Sequence, residues 1–360
     1  MPNDVQIKQF ELAEQDSLLA FLRVAYPDEP RKHDEAFWKW HYLENPYTSL
    51  DDIPLWIVKS GAEIVGQLAT IPVELKVGRE TRRAIWILDF IVRADFRGRG
   101  LGNRLVLAAR EWCPTMITLG INEQSTAVFR KLSWAPLGAI HRYHRLLYAG
   151  DALNEIRRLA PLRALANLAY APARSRLRRA TTNPIGDVRA VSAFDSAFED
   201  LWQRAATQWP CAVVRSSRYL DWQFVRQPGK QFEVLGIYDE QKLLGYVAMY
   251  FRKASRSGRP PKVAISDLCY DENNADQIVD RLLKAAIDLA LERCSGSLVA
   301  DVLDPRVESK LKQYGFWRIK NAPQFMAYAP SGTDTIYHAS NWFLTRGDSD
   351  VGIFEDPNIG

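Results

Sequence analysis

Long apolar runs are missing from this 360-residue chain. No stretch of about 18 apolar residues occurs, which excludes a transmembrane helix. Cysteine is scarce: Cys113, Cys211, Cys269 and Cys294 are scattered, without the spacing of a disulfide framework or a zinc site. The five histidines show no pairing either, so no metal is expected. Met1 to Glu14 is polar and acidic, unlike a secretory leader, and a reducing cytoplasm is the expected setting. The net charge of +4 is too mild to argue for nucleic acid. What is present is an ordinary globular composition, 47% hydrophobic and 25% charged, with length for roughly two domains.

Against this background Arg97-Gly98-Arg99-Gly100-Leu101-Gly102 stands out. It follows an apolar run, Trp86 to Val92, that reads as a buried strand. It precedes Asn103 to Trp112, a helix with Leu105, Val106 and Ala109 on one side. A strand, a glycine-rich turn and a helix make an anion site. Glycines let backbone N–H groups turn inward, and the helix N-terminus adds partial positive charge. With two arginines beside it, the expected ligand carries phosphate, and pyrophosphate fits best. Spacing narrows this further. A Walker loop needs Lys then Ser or Thr after its last glycine, and here Asn103 and Arg104 follow. A dinucleotide fingerprint would need its third glycine at position 103. What remains is R-x-x-G-x-G over Arg97, Gly100 and Gly102, or, more plainly, a glycine-rich turn on a basic surface.

The pattern resembles the acyl-CoA signature of the GNAT N-acetyltransferases. Asp89-Phe90-Ile91-Val92 leads into the motif as that family's strand does. Ile117 to Ile121 then reads as a second strand, followed by Asn122 and a helix from Ser125 to Leu132. Phe129 stands where the family usually has a tyrosine, and Ser133-Trp134 where it has Gly-Phe. The resemblance covers most of residues 1–150. It implies acetyl-CoA as co-substrate. The loop Arg97, Gly98, Arg99, Gly100, Leu101, Gly102 and Asn103 would hold the pyrophosphate. The backbone of Phe90, Ile91 and Val92 would bind the pantetheine arm and the thioester oxygen. Asn122 would touch that arm and Phe129 would border the sulfur. Without a hydroxyl, Phe129 cannot protonate the departing thiolate; Tyr42 and His41 are minor candidates. Asp89 is the first candidate for general base, being a carboxylate on an apolar strand. A structural, hydrogen-bonded acid is its plain alternative, strengthened by Asp267 at the matching place later in the chain.

That second place belongs to an internal repeat. Trp40-His41-Tyr42, closed by Pro46, matches Trp222-Gln223-Phe224, closed by Pro228. Leu88-Asp89-Phe90 matches Ser266-Asp267-Leu268, and Asn122, Phe129 and Ser133 match Asp304, Leu311 and Gly315. A register held this long points to duplication. The expected fold is α/β (α+β): two tandem GNAT-like domains, each a mixed, mostly antiparallel sheet flanked by helices. The divisions are 1–150 with the acyl-CoA site, a basic helical linker over 151–185, a degenerate copy over 186–330, and a C-terminal tail over 331–360 packing on the domains. In the second copy Asp271-Glu272-Asn273-Asn274-Ala275-Asp276 replaces the glycine loop. Its acids should repel pyrophosphate, leaving that copy to wall the acceptor cleft.

Two segments stand apart. The linker holds Arg157, Arg158, Arg163, Arg174, Arg176, Arg178 and Arg179 among Leu and Ala, with no acid from Arg157 to Gly186. It reads as a basic amphipathic segment touching membrane or an anionic polymer. Otherwise it is a connector packing its Leu/Ala side on a domain, divided by Pro161, Pro172 and Pro184. The tail, with Trp342-Phe343-Leu344-Thr345, reads as an added edge strand. Asp348 or Asp350 entering the cleft is the sharper alternative.

Together these features point to an acyl-CoA-dependent N-acyltransferase. Its acceptor, a small-molecule, sugar or peptide amine, would lie between the domains of a cytoplasmic monomer or homodimer. No nucleic acid is expected as a partner, and peripheral membrane contact stays open through the arginine linker. A CoA-binding regulator without turnover is the alternative from another class. An aminoacyl-tRNA-dependent Fem-like ligase needs no CoA loop, so the motif argues against it.

Overall fold

The apolar run ending at Val92 is one arm of a long hairpin. β3 (Glu63–Val77) turns through Gly78 into β4 (Glu80–Val92), and the two pair antiparallel along most of their length. Gly78 takes φ +62°, which the tight turn requires and L side chains resist. The computed structural model describes residues 5–150, 161–177, 184–251, 262–320, 322–330 and 332–349. Among them, sixteen strands join in one mixed, mostly antiparallel sheet flanked by helices. No helix among the described residues is long and apolar enough to cross a membrane.

The first half runs β1 (Val5–Gln9), α1 (Gln15–Ala25), α2 (Glu35–Tyr42), β2 (Leu55–Ser60), β3, β4, α3 (Leu101–Trp112), β5 (Met116–Leu119), α4 (Glu123–Lys131), β6 (Ala135–Ala139) and β7 (His141–Leu146). Two short helices, α5 (Arg163–Ala169) and α6 (Ala171–Leu177), follow. The second half runs β8 (Asp187–Val191), α7 (Ser196–Ala205), β9 (Cys211–Val213), α8 (Ser217–Phe224), β10 (Phe232–Asp239), β11 (Lys242–Phe251) and β12 (Lys262–Tyr270). It continues with α9 (Ala275–Glu292), β13 (Ser297–Leu303), α10 (Pro305–Gln313), β14 (Trp317–Ile319), β15 (Gln324–Tyr328) and β16 (Trp342–Thr345).

Pairing repeats between the halves. β1–β2–β3–β4 are antiparallel neighbours and β4–β5 are parallel. Likewise β8–β10–β11–β12 are antiparallel and β12–β13 parallel. The helix caps repeat as well. Asp34 caps α2 and Ser216 caps α8, while Asn122 caps α4 and Asp304 caps α10, each side chain accepting from the backbone N–H three residues on. Ser133 and Gly315, after α4 and α10, share a left-handed backbone at φ +63° and +74°. Ser133 thus adopts the conformation for which the matching position uses glycine.

The halves are not separate in space. β15 inserts between β5 and β6, and β7 inserts between β13 and β14. Each half therefore borrows the strand that completes its sheet, and a cut near residue 150 or 186 crosses this exchange. β16 is not the edge strand its sequence suggested. It lies inside the sheet, parallel to β9 and antiparallel to β13. Its apolar Trp-Phe-Leu run suits burial from both faces.

The halves meet at the repeated tryptophans. Trp40 on α2 and Trp222 on α8 stack at 4.9 Å with ring planes 16° apart. Each indole N–H donates to the other residue's carbonyl, at 2.9 and 3.0 Å. Both side chains are buried among the largest in the core. Trp222→Phe keeps the ring but strands the Trp40 carbonyl, an expected loss of about 1–3 kcal/mol. Trp222→Ala should cost about 3–5 kcal/mol. The midpoint of chemical unfolding measures both, and Trp40→Phe should match Trp222→Phe.

Candidate active site

β4 and β5 run parallel only at Ile85–Met116 and Trp86–Ile117, then diverge. Leu88 to Val92 consequently make no ladder hydrogen bonds on that flank, and the alternate N–H groups of this stretch that point there are left unpaired by β5. On the opposite flank a bulge interrupts pairing with β3: Gln67 faces Ile91, yet Ala69 faces Leu88. Asp89 sits in this bulge with φ +41°, a conformation Asp tolerates better than most L residues.

The strand then passes through Phe96 and Arg97 into the glycine turn. Gly98 and Gly100 take φ +78° and +74°. Space is open at both, so backbone angle, not crowding, requires glycine there. Gly100 is the N-cap of α3, and neither a side-chain cap nor an acid occupies that first turn. The N-terminal N–H groups of α3 are thus available to an anion. Gly102 answers a different need, since a Cβ there would meet Cζ of Phe90 at 3.0 Å.

These elements enclose a cavity of about 550 Å³. Phe90, Ile91, Val92, Arg97, Gly98, Gly100, Leu101, Gly102, Asn103 and Asn122 all line it. Arg97 is braced there by its Nε, which donates to the Val92 carbonyl at 2.9 Å. The Asn122 Oδ1 accepts from Ser125 N at 2.8 Å, which leaves its amide nitrogen to meet a ligand.

Arg99 and Phe129 are absent from the lining. The Arg99 guanidinium instead donates to the Asp95 carbonyl at 3.0 Å and lies 4.7 Å from the Phe96 ring. Phe129 is fully buried, its ring 4.5 Å from Trp134 and 5.8 Å from Phe90. It supports the cavity wall from behind, where it had been expected to border a sulfur. Sequence reasoning missed Tyr26, Phe96, Gln124, Ser125, Val128 and Lys131. Four of these were within reach: once Asn122 is taken as the cap of α4, positions 124, 125, 128 and 131 fall on one helical face. Tyr26 comes from the end of α1, which no motif connects to the loop.

Asp89 lies behind the cavity wall. Its carboxylate pairs with Lys32 Nζ at 2.6 Å and accepts from the Tyr42 hydroxyl at 2.6 Å. Both oxygens are engaged, and the side chain is buried. Burial, opposed only in part by the Asp89 charge, holds the neighbouring His41 down to about 4, so it is neutral at ordinary pH. Neither His41 nor Tyr42 lines the cavity. No group of three His, Cys, Asp or Glu side chains among the described residues could hold a metal ion.

The matching notch of the second half is filled. β12 and β13 pair from Lys262–Ser297 to Ile265–Ala300 and then part. β16 and the turn after it enter this gap. Thr345 Oγ1 donates to Asp267 at 2.8 Å, and Gly347 lies so close that a Cβ would meet the Ser266 carbonyl at 2.9 Å. Arg215 bonds both Asp267 and Asp348. Asp348 is buried beside a second carboxylate and is pushed up to about 6. It is therefore a buried anchor rather than a cleft contact; Asp350 lies outside the described residues. The acids expected to repel pyrophosphate are themselves engaged. Asp271 pairs with Arg204 at 2.6 Å, Asp276 with Arg306 at 2.8 Å, and Glu272 accepts from Thr207 at 2.8 Å. The notch is thus occupied by the chain itself, and the acids beside it are paired.

Residues 15–134 match the model of the Acetyltransferase (GNAT) family. The chain carries a GNAT acetyltransferase domain. Solved structures extend the fold likeness over nearly the whole chain. The N-myristoyltransferase of Saccharomyces cerevisiae, with bound myristoyl-CoA, is 12% identical, with 91% of this chain and 83% of that one covered at a TM-score of 0.59. A GCN5-related N-acetyltransferase from Anabaena variabilis is 14% identical, covering 90% of this chain and 72% of that one at 0.59. One from Kribbella flavida is 16% identical, covering 90% and 70% at 0.55. At these identities the likeness is one of fold. No curated protein matches the sequence. In the GNAT domain, the cavity at the β4–β5 gap is the candidate donor site.

Its bulge depends on the Lys32–Asp89 pair. Removing one partner of a buried pair costs about 3–5 kcal/mol. Asp89→Asn should lose that stability, and Lys32→Met with Asp89→Asn should regain much of it. Thermal unfolding of the two variants checks this.

Proposed function

We propose that the chain is an acyl-CoA-dependent N-acyltransferase of the cytoplasm, using acetyl-CoA and an amine acceptor. The observation that carries this is the cavity itself. Uncapped helix N–H groups, Arg97 and Lys131 provide for a diphosphate, and the unpaired flank of β4 provides for the acyl-pantetheine arm. An extended amide-bearing arm can add to a free strand flank by backbone hydrogen bonds. Its thioester oxygen would then face N–H groups of Phe90 to Val92. As the amine nitrogen attacks the carbonyl carbon, charge develops on that oxygen and these donors stabilise it. The nitrogen gives its proton to solvent water, the C–S bond breaks, and the thiolate leaves and takes up a proton.

We assign Asp89 to positioning: it holds the bulge that aims these donors. For the thiolate, Tyr26 offers the hydroxyl that Phe129 lacks. It lines the cavity, and its ring lies 4.1 Å from the Lys32 ammonium. Tyr26→Phe should lower kcat roughly 10²-fold with little change in donor affinity, since positioned acids contribute about 10²–10⁴. Steady-state rates across pH, beside an acetyl-CoA titration, check it. Equal turnover would remove Tyr26 from the chemistry.

The acceptor belongs at the junction of the halves. A second cavity of about 1290 Å³ is lined by Asp28 and Arg31 of the first half and by Phe232 and Tyr250 of the second. The segment from Tyr26 to Arg31 borders both cavities. A tandem origin, with one donor site kept and the other filled by the chain's own C-terminal segment, accounts for this asymmetry. A CoA-binding regulator without turnover is the second reading, favoured by the lack of any carboxylate or histidine in the donor lining.

Transfer of label from radiolabelled acetyl-CoA to a panel of amines separates the two readings. Wild type should transfer and should melt higher with acetyl-CoA. Arg97→Ala and Gly100→Asp should abolish both effects. A shift without transfer to any amine would favour the regulator, and a shift surviving both substitutions would sink the loop assignment.

A further inference from the structure

Residues 161–177, between the halves, have no counterpart in the repeated pairing scheme. α5 presents one side to the body of the protein. Asn167 Oδ1 accepts from Gly150 N at 2.7 Å, and a Cβ on Gly150 would meet the Arg163 carbonyl at 2.3 Å. Leu162, Leu165 and Leu168 occupy another side and are 49%, 63% and 70% exposed. The Leu/Ala side of this segment was expected to pack on a domain if the segment were a simple connector; these three leucines do not. Nine large hydrophobic side chains are exposed among the described residues, and three of them fall within these seven positions, so they form a patch.

The charge here has one sign. Arg163, Arg174 and Arg176 lie in the segment, without any Asp or Glu. The Arg174 guanidinium rests 4.5 Å from the Tyr148 ring, and Arg176 is exposed at the end of α6. Arg157, Arg158, Arg178 and Arg179 lie outside the described residues. A leucine row beside arginines suits a surface that is anionic outside and apolar just beneath. Nucleic acid would use the arginines and gain nothing from the leucines.

We propose that residues 161–177 dock the protein on a bilayer containing anionic phospholipid. The leucines enter the boundary between headgroups and acyl chains, and the exposed Arg176 meets lipid phosphate. Docking does not depend on the acyl-transfer reading, because none of these residues lines either cavity.

Co-sedimentation of the full chain tests it, with vesicles of phosphatidylcholine alone or mixed with phosphatidylserine. The wild type should sediment with the mixed vesicles, more weakly as salt rises, and not with phosphatidylcholine alone. Joint Leu165→Asp and Leu168→Asp substitution should weaken binding at least about tenfold, with melting temperature and acetyl-CoA response unchanged. Arg176→Glu should weaken it too. Failure to bind mixed vesicles, equal binding to neutral ones, or full binding by the leucine variant would each overturn the proposal. So would a tighter complex with single-stranded RNA that the leucine variant retains.

Discussion

The stacked indoles of Trp40 and Trp222 hold the two halves in register, and the donor cavity depends on that register. Each N–H is spent on the other residue's carbonyl, so neither helix can shift without leaving a buried polar group unpaired. α2 carries Trp40 and, two residues on, Tyr42, whose hydroxyl holds Asp89 in its bulge. The bulge sets the backbone that faces the β4–β5 gap. A contact at the middle of the molecule thereby fixes the angle of donors at the site. Arg226 and Glu44, also 182 positions apart, extend the link to the surface at 3.1 Å, where an exposed pair adds little.

The two halves present equivalent notches, and different occupants distinguish them. In the first, the sheet parts over a cavity floored by Phe90 and closed by a glycine turn. In the second, Thr345 to Asp348 enter and satisfy a buried cluster around Arg215. Backbone shape was retained even where chemistry changed: Asn274 caps α9 in the same left-handed conformation that Gly100 takes before α3. Asn tolerates that conformation but adds a side chain where the first half leaves space.

Much of this was legible in the sequence. The strand, turn and helix around Arg97 to Gly102 follow from local periodicity and glycine placement. The repeat was visible because its signals are short and directional: a tryptophan helix, an Asn or Asp cap, and a left-handed residue after the helix. What stayed hidden depends on long-range partners. Nothing in His141 to Leu146 announces that it pairs with β13, because a strand's pattern specifies a face but not a neighbour. β16 looked like an edge because it comes last in the chain. Asp89 could be read as a base or as a structural acid, because the lysine that pairs with it lies 57 positions away in sequence. Phe129 was given a role at the sulfur by its place in a motif, whereas packing turned it into the core.

The exchange of β7 and β15 also bears on how the chain is made. During synthesis the first half emerges with β5 and β6 unjoined, because the strand that bridges them is Gln324–Tyr328. Until that segment leaves the ribosome, two strand edges stay open to foreign pairing. Such distant pairing is slow to form, and domains generally fold as they appear. The sheet of the N-terminal half is therefore complete only once Gln324–Tyr328 has been made.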